Sequence, residues 1–285
     1  MSIRSVLAAL VILTAPVAPA MAQQPAQAAA PAEITPDVMQ IPAPDGRSIS
    51  ISVWTATDER GVVVFSHGFN GAPAAYQRLL AAWAGHGFTV IAPLHVDSLQ
   101  HPDHGDYDNV AAFSTRLMDL AVARAMAGQA HPEKPLIVAG HSFGSLMSAI
   151  QAGAVTAAGP MGDPAVQGVI AFSSAGSLPG VVTPDTYATL TAPFLMITGD
   201  RDVVPGYVTD WRDHRAPFDL SPAGDKILMV FEGAEHDLVA AADDAAFAVI
   251  LRATQAFLDA HALNDAEAQA QLDALAASGV TVERR

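Results

Sequence analysis

A serine hydroxyl attacks a carbonyl well only when a base removes its proton, and the base in turn needs an acid to orient it. The sequence carries such a set in a workable order. Residues 140–144 read Gly-His-Ser-Phe-Gly, the G-x-S-x-G pattern, with Ser142 at its centre. At ordinary glycine and serine frequencies of ~7%, chance supplies roughly 0.1 matches in a chain this long. Here the pattern lies between the apolar run 136–139 and a second apolar stretch from 143 to 157. That context predicts a strand, a strained turn and a helix, with glycines where a side chain would strike a neighbouring element.

The partners follow downstream. Three histidines come after Ser142. His214 lies in an irregular stretch and His261 at the far end of a predicted helix, whereas His236 directly follows an apolar run at 226–231, which makes it the expected base. For the acid, Asp200 and Asp202 both follow the run 194–198, and Asp237 adjoins the base. Asp202 stands three residues beyond Gly199, far enough into the loop to turn toward a histidine. Asp200 reads as a carboxylate that caps its own loop. Charge developing on a carbonyl oxygen needs two donors. One is the backbone N–H of Phe143. The other is expected from the glycine-rich residues 66–71, with Phe69 as the choice. A histidine base predicts activity that rises with pH near about 6.5.

These residues need a frame. Alternation at 48–55 predicts a strand with one buried face, preceded by a strand at 38–42 and a turn at Pro44-Asp45-Gly46. Continuous apolar runs at 62–66, 88–93, 136–139, 168–172, 194–198 and 226–231 predict strands covered on both sides. Helices are expected at 74–85, 109–127, 143–157 and 238–261 between and after them. Strands alternating with helices mean a mostly parallel, mixed sheet with helices on both faces. Ligands of such sheets lie at the carboxyl ends of the strands, where the chemistry-bearing loops fall. Residues 264–278 predict a short terminal helix or a frayed tail.

Other features carry weaker expectations. Residues 101–108 hold two histidines and three aspartates. They read as a polar loop leading to a helix capped near Asp108 or Asn109, and no metal is expected. Arg116 and Asp119, three apart, are expected to form a structural ion pair on that helix. His67, Trp211 and Phe218 are candidate substrate contacts, His67 also serving to orient its loop. Residues 173–191 and 206–225 are too short for a large helical lid. The chain lacks the lysine of a P-loop and the spacing of a dinucleotide fingerprint, so no cofactor is expected.

Composition narrows the class. The chain has 285 residues, 51% hydrophobic and 15% charged, which suits a sizeable core rather than disorder. With 14 basic and 29 acidic residues the formal charge is -15, which argues against nucleic acid and anionic surfaces as partners. There is no cysteine, so disulfides, thiol nucleophiles and thiolate zinc sites are excluded. Arg4, the short apolar run 6–14 and Ala20-Met21-Ala22 have the parts of a secretory signal peptide, too short for a membrane span. The expected organisation is a signal peptide at 1–22, cleaved near Ala22, a linker at 23–36, and one domain at 37–285, exported to the periplasm or beyond.

Residues 62–71 (VVVFSHGFNG), 85–93 (GHGFTVIAP) and 140–145 (GHSFGS), with 194–205 and 232–236, resemble the α/β-hydrolase fold across nearly the whole mature chain. Within that fold they are similar to the branch of dienelactone-hydrolase-like proteins, chlorophyllases, platelet-activating-factor acetylhydrolases and bacterial polyester hydrolases. The resemblance implies a Ser142–Asp202–His236 triad and hydrolysis of a carboxylic ester, whether small molecule, lipid or polymer. Residues 172–175, where the acetylhydrolases place their acid, read Phe-Ser-Ser-Ala, so Asp202 follows the polyester-hydrolase pattern. The disulfide of those polymer enzymes cannot form here. Amide or peptide hydrolysis by the same triad, and a non-catalytic binding role on the same fold, are the alternatives.

Overall fold

The computed structural model describes residues 34–176, 178 and 180–285. The expected signal peptide and all but the last residues of the expected linker lie outside the described residues. The described chain runs through strands β1 (Asp37–Pro42), β2 (Ser48–Trp54) and β3 (Gly61–Ser66), helix α1 (Gln77–Gly85), and β4 (Phe88–Pro93). Next come α2 (Asn109–Ala130), β5 (Leu136–His141), α3 (Phe143–Gln151), β6 (Val166–Phe172) and β7 (Phe194–Gly199). The last part holds α4 (Ala216–Leu220), β8 (Lys226–Phe231), α5 (Leu238–Ala241), α6 (Asp244–Ala262), α7 (Ala266–Asp273) and β9 (Val280–Arg284).

The strands form one nine-stranded sheet in the order β1-β2-β4-β3-β5-β6-β7-β8-β9. From β4 to β8 all neighbours are parallel, while β1, β2 and β9 pair antiparallel at the edges. Every residue of β3, β4, β5, β7 and β8 is buried, as expected of strands with helices on both sides. Successive side chains feed opposite cores. Val63 and Phe65 meet Leu80, Trp83, Ile250 and Phe257 on one side. Val62 and Val64 meet Leu120, Leu146, Met147 and Ile150 on the other.

Two expectations are corrected, and a third, the short terminal helix, is met and followed by a strand. The helix expected at 238–261 is two helices. Ala242 turns extended (φ -52°, ψ 134°), and the Asp243 carboxylate accepts from Ala246 N–H at 2.8 Å to start α6 anew. The tail forms α7, capped by Asp265, and then an edge strand whose Val280 and Val282 face the core between exposed and charged neighbours. Finally, Arg116 and Asp119 do not pair with each other. The Arg116 guanidinium grips Asp97, and Asp119 accepts from Arg47 and His95.

Candidate active site

β5 ends at His141, and Ser142 follows with φ 53° and ψ -119°, a conformation that L side chains rarely adopt. Its backbone N–H donates to Phe172 O at 2.8 Å, and α3 begins at the next residue. The flanking glycines are needed for sterics. A Cβ on Gly140 would stand 2.3 Å from Gly144 O, and one on Gly144 would stand 2.0 Å from Ser66 O. The turn therefore wedges Ser142 between its own helix and the end of β3, as the strand–turn–helix reading expects.

The Phe143 N–H opens α3, where the first amides have no partner within the helix. Across from it lies the loop after β3. Among the described residues no acceptor engages the Phe69 N–H. The two phenyl rings meet edge to face at 6.4 Å, which keeps both loops together, and the Phe69 ring is 44% exposed.

A buried cluster shapes that loop. Arg116, fully buried, donates to both Asp97 oxygens at 2.7 Å and to the carbonyls of His67 (2.7 Å) and Gly68 (3.1 Å). Its guanidinium also lies 4.7 Å from the Phe143 ring centre. Asp97 completes the hold by accepting from Asn70 N–H at 3.3 Å. Burial would raise the Asp97 carboxyl, but the hydrogen bonds and charge of Arg116 outweigh it and bring it down to about 2. Beyond Arg116, His67 donates from Nδ1 to Gly68 O and accepts at Nε2 from His95 N–H. His95 donates to Asp119 at 2.9 Å and accepts from Ser66 Oγ at 3.0 Å. Burial, and then the charge of Arg116, hold both imidazoles well below 6.5, so they are neutral. Asp119 is pushed up to about 6 by burial, against the pull of Arg47.

On the other side of Ser142, β7 runs into the loop of Asp202. The Asp202 side chain is fully buried and its Oδ1 accepts from His236 Nδ1–H at 2.7 Å. Oδ2 accepts from Thr198 Oγ1 at 2.7 Å. Burial would raise this carboxyl, yet hydrogen bonds from His214 and His236 hold it well below the usual carboxylate range. His236 is one-quarter exposed, so its ring can reach both Asp202 and solvent. Its carbonyl accepts from His141 Nε2–H at 2.7 Å and from Ser173 Oγ at 3.2 Å. His141 accepts at Nδ1 from Tyr76 Oη–H (2.9 Å), and Tyr76 Oη accepts from Gly68 N–H (3.3 Å). Burial, and then the charge of His236, lower His141 to about 4. One oriented chain of hydrogen bonds thus ties the Phe69 loop to the His236 loop beneath Ser142.

The structure brings Ser142, Asp202, His236, Phe69 and Phe143 to the carboxyl ends of β3, β5, β7 and β8. Asp200 accepts from Gly233 N–H at 2.6 Å, the loop-capping role expected of it. Two candidate substrate contacts are corrected. His67 is fully buried with both ring nitrogens engaged, and Phe218 is packed into the core at 2% exposure. Trp211 is half-buried. The residues not anticipated are His141, Tyr76, Asp97 and His214. His141 occupies the first variable position of G-x-S-x-G, a signal available in the sequence. The others lie in loops or on helices far from any motif.

Asp202, His214 and His236 offer three ligand atoms within 4.8 Å of one another, the one such group among the described residues; residues 101–108 supply none. Asp202 Oδ1 stands 2.7 and 2.8 Å from the two nitrogens. Those are hydrogen-bond lengths, shorter than the roughly 3.3 Å separating ligands around a tetrahedral zinc. Among the described residues no helix is long and apolar enough to cross a membrane.

The family described as serine aminopeptidase, S33, matches residues 57–185, less than half of the chain, a stretch that contains Phe69 and Ser142. No curated protein matches the chain. Among solved structures, it is similar to a soluble variant of monoglyceride lipase from Saccharomyces cerevisiae in complex with a substrate analog. The TM-score is 0.63 at 15% identity, covering 81% of this chain and 98% of that one. It is also similar to the Thermogutta terrifontis esterase Est2 with propionate bound, with a TM-score of 0.60 at 16% identity, over 80% and 95% of the two chains. TT1662 from Thermus thermophilus gives 0.55 at 18% identity, over 79% and 97%. The mixed sheet, its strand order and these likenesses agree: the chain has the α/β-hydrolase fold.

Proposed function

We propose that this chain is a serine hydrolase of carboxylic esters. The observation that carries the reading is the 2.7 Å hydrogen bond from His236 to buried Asp202, on loops flanking the strained turn of Ser142. Ser142 Oγ attacks the ester carbonyl while His236 Nε2 takes its proton. Asp202 keeps the imidazole in the tautomer with Nδ1–H and stabilises the imidazolium that forms. The oxyanion is held by the N–H groups of Phe69 and Phe143. His236 then gives the proton to the leaving alcohol, and water releases the acyl group by the same steps in reverse. The placement of the acid after β7 agrees with the polyester-hydrolase pattern. Exposed Phe69, Leu99, Val110, Val203 and Tyr207 all lie in loops or a first helical turn following the carboxyl ends of strands. With an acidic chain around it, this apolar rim favours an uncharged, apolar ester.

The test is covalent labelling. A fluorophosphonate labels the native chain at one site, and Ser142→Ala abolishes the label. Full labelling of that variant would remove Ser142 from the reaction, and an unlabelled native chain would favour a binding role. Nitrophenyl esters of increasing chain length, with a phospholipid and an aromatic polyester, place the substrate.

The match to a family described as serine aminopeptidase favours a second reading, amide or peptide hydrolysis by the same residues. Matched ester and amide substrates separate the two by kcat/KM. Export follows from residues 1–22 in this reading, and the mass of the chain recovered from the periplasm or medium tests cleavage after Ala22.

A further inference from the structure

The reaction above leaves His214 unused. It sits in a short 3-10 turn, Trp211–Arg215, between β7 and β8, and its side chain is fully buried. Its Nε2 lies 2.8 Å from Asp202 Oδ1, the same oxygen that accepts from His236, and 3.1 Å from Asp202 O. Its Nδ1 makes a short contact with Ser174 O. The Ser174 hydroxyl donates back to His214 O at 2.7 Å, so two reciprocal bonds fix the turn to the end of β6. The His214 ring lies nearly parallel to that of His236, with centroids 5.6 Å apart.

Both ring nitrogens of His214 therefore face oxygens that can only accept. A neutral imidazole has one N–H, and its other nitrogen would turn a lone pair toward an oxygen lone pair. A doubly protonated ring satisfies every contact. His141 makes the contrast plain, since its nitrogens face one donor and one acceptor.

We propose that His214 is held as a buried imidazolium, a positioning residue that fixes the Asp202 carboxylate and sets the acid limit at which His236 works as a base. The inference rests on the assignment of His236 as that base. The titratable groups facing His236 are Asp202 from the loop after β7, His141 from the end of β5, and His214 from the 3-10 turn. His141 is neutral, and Asp213 and Arg215 flank His214 along its own turn. Asp202 and His214 thus supply the charge next to His236. With the imidazolium present, Asp202 shares its charge between two rings. Without it, the whole carboxylate charge favours a protonated His236, which is inactive as a base.

The native chain gives the first readout. In a sample labelled with 15N-histidine, with His214 assigned through bonds to its backbone, both ring nitrogens should be protonated at pH 8. A singly protonated ring overturns the proposal and needs no variant to show it. In His214→Gln, the acid limb of kcat/KM should move up by about one pH unit, with kcat on the plateau reduced and KM held. A fall in kcat with the acid limb unmoved would make His214 structural only, which also overturns the proposal. Labelling of Ser142 separates the two levels. A singly protonated His214 in a chain whose label depends on Ser142 sinks this inference alone, whereas labelling that survives Ser142→Ala sinks the reading beneath it.

Discussion

Two buried clusters of charge flank Ser142, one behind the Phe69 loop and one behind the His236 loop. On the Phe69 side the cation at the centre is an arginine, charged at any working pH. Its histidines, His67 and His95, are neutral, each with one donor and one acceptor matched. On the His236 side no arginine among the described residues contacts Asp202, and its basic partners are imidazoles. The first cluster holds a backbone shape and has nothing to change during a reaction. In the proposed reaction the second gains and loses a proton in each cycle, and histidine is the side chain suited to that.

Paired substitutions break the comparison most sharply. Asp202→Asn keeps an acceptor oxygen for the histidines but removes the charge that fixes the His236 tautomer. We expect kcat to fall roughly 10³–10⁴-fold in a chain that still folds. Arg116→Met acts in the opposite sense. It strands the Asp97 carboxylate and the His67 and Gly68 carbonyls in the interior, which should cost about 3–5 kcal/mol in urea unfolding. A stable Arg116→Met chain that had lost only its rate would contradict the division of labour.

Acid should expose the neutral histidines. Burial holds His67, His95 and His141 below 6.5 in the folded chain, while the unfolded chain takes up protons near that value. Stability is therefore whole above about pH 6.5 and declines as pH falls. For His141, lowered to about 4, the loss reaches roughly 3 kcal/mol by pH 4. Asp119 works the other way. Its folded value of about 6 lies above the unfolded one, so it costs stability above pH 6 and relieves that cost below. The urea midpoint at pH 4.5 should be lower than at pH 7.5, and Asp119→Asn, which removes the opposing contribution, should steepen the decline. A flat profile between those values would mean that these histidines are not held neutral.

The unequal legibility of the two clusters has a physical cause. The parallel core strands announce themselves because burial on both faces demands unbroken apolar runs, and Ser142, Asp202 and His236 each follow such a run. Asp200 is separable from Asp202 because a difference of two residues in loop position decides between capping Gly233 and reaching His236. Arg116 and Asp97 left no trace of their pairing, since they join a helix to a loop 19 residues earlier and the i,i+3 spacing of Arg116 and Asp119 pointed elsewhere. His214 gives no signal because its stretch of sequence is irregular, yet the 3-10 turn carries it back to Asp202. β9 was hidden because an edge strand with one half-buried face, ending in charges, has too short an alternation to stand out.

The smallest expected effect tests whether the Phe69 loop acts through its backbone. The Phe69 side chain is 44% exposed and touches Phe143 across the site, but the proposed donor is its N–H. The loop conformation is set by Arg116, Asp97 and Tyr76, none of which depends on the phenyl ring. Phe69→Ala should therefore leave kcat within about threefold, well below the 10²–10³-fold cost of removing an oxyanion donor. KM for esters with long apolar chains should rise while KM for acetate esters holds. Phe69→Pro deletes the N–H and should lower kcat for every ester alike. If Ala and Pro lowered kcat equally, the ring and not the amide would be what the loop contributes, and the second oxyanion donor would have to be sought elsewhere in residues 66–71.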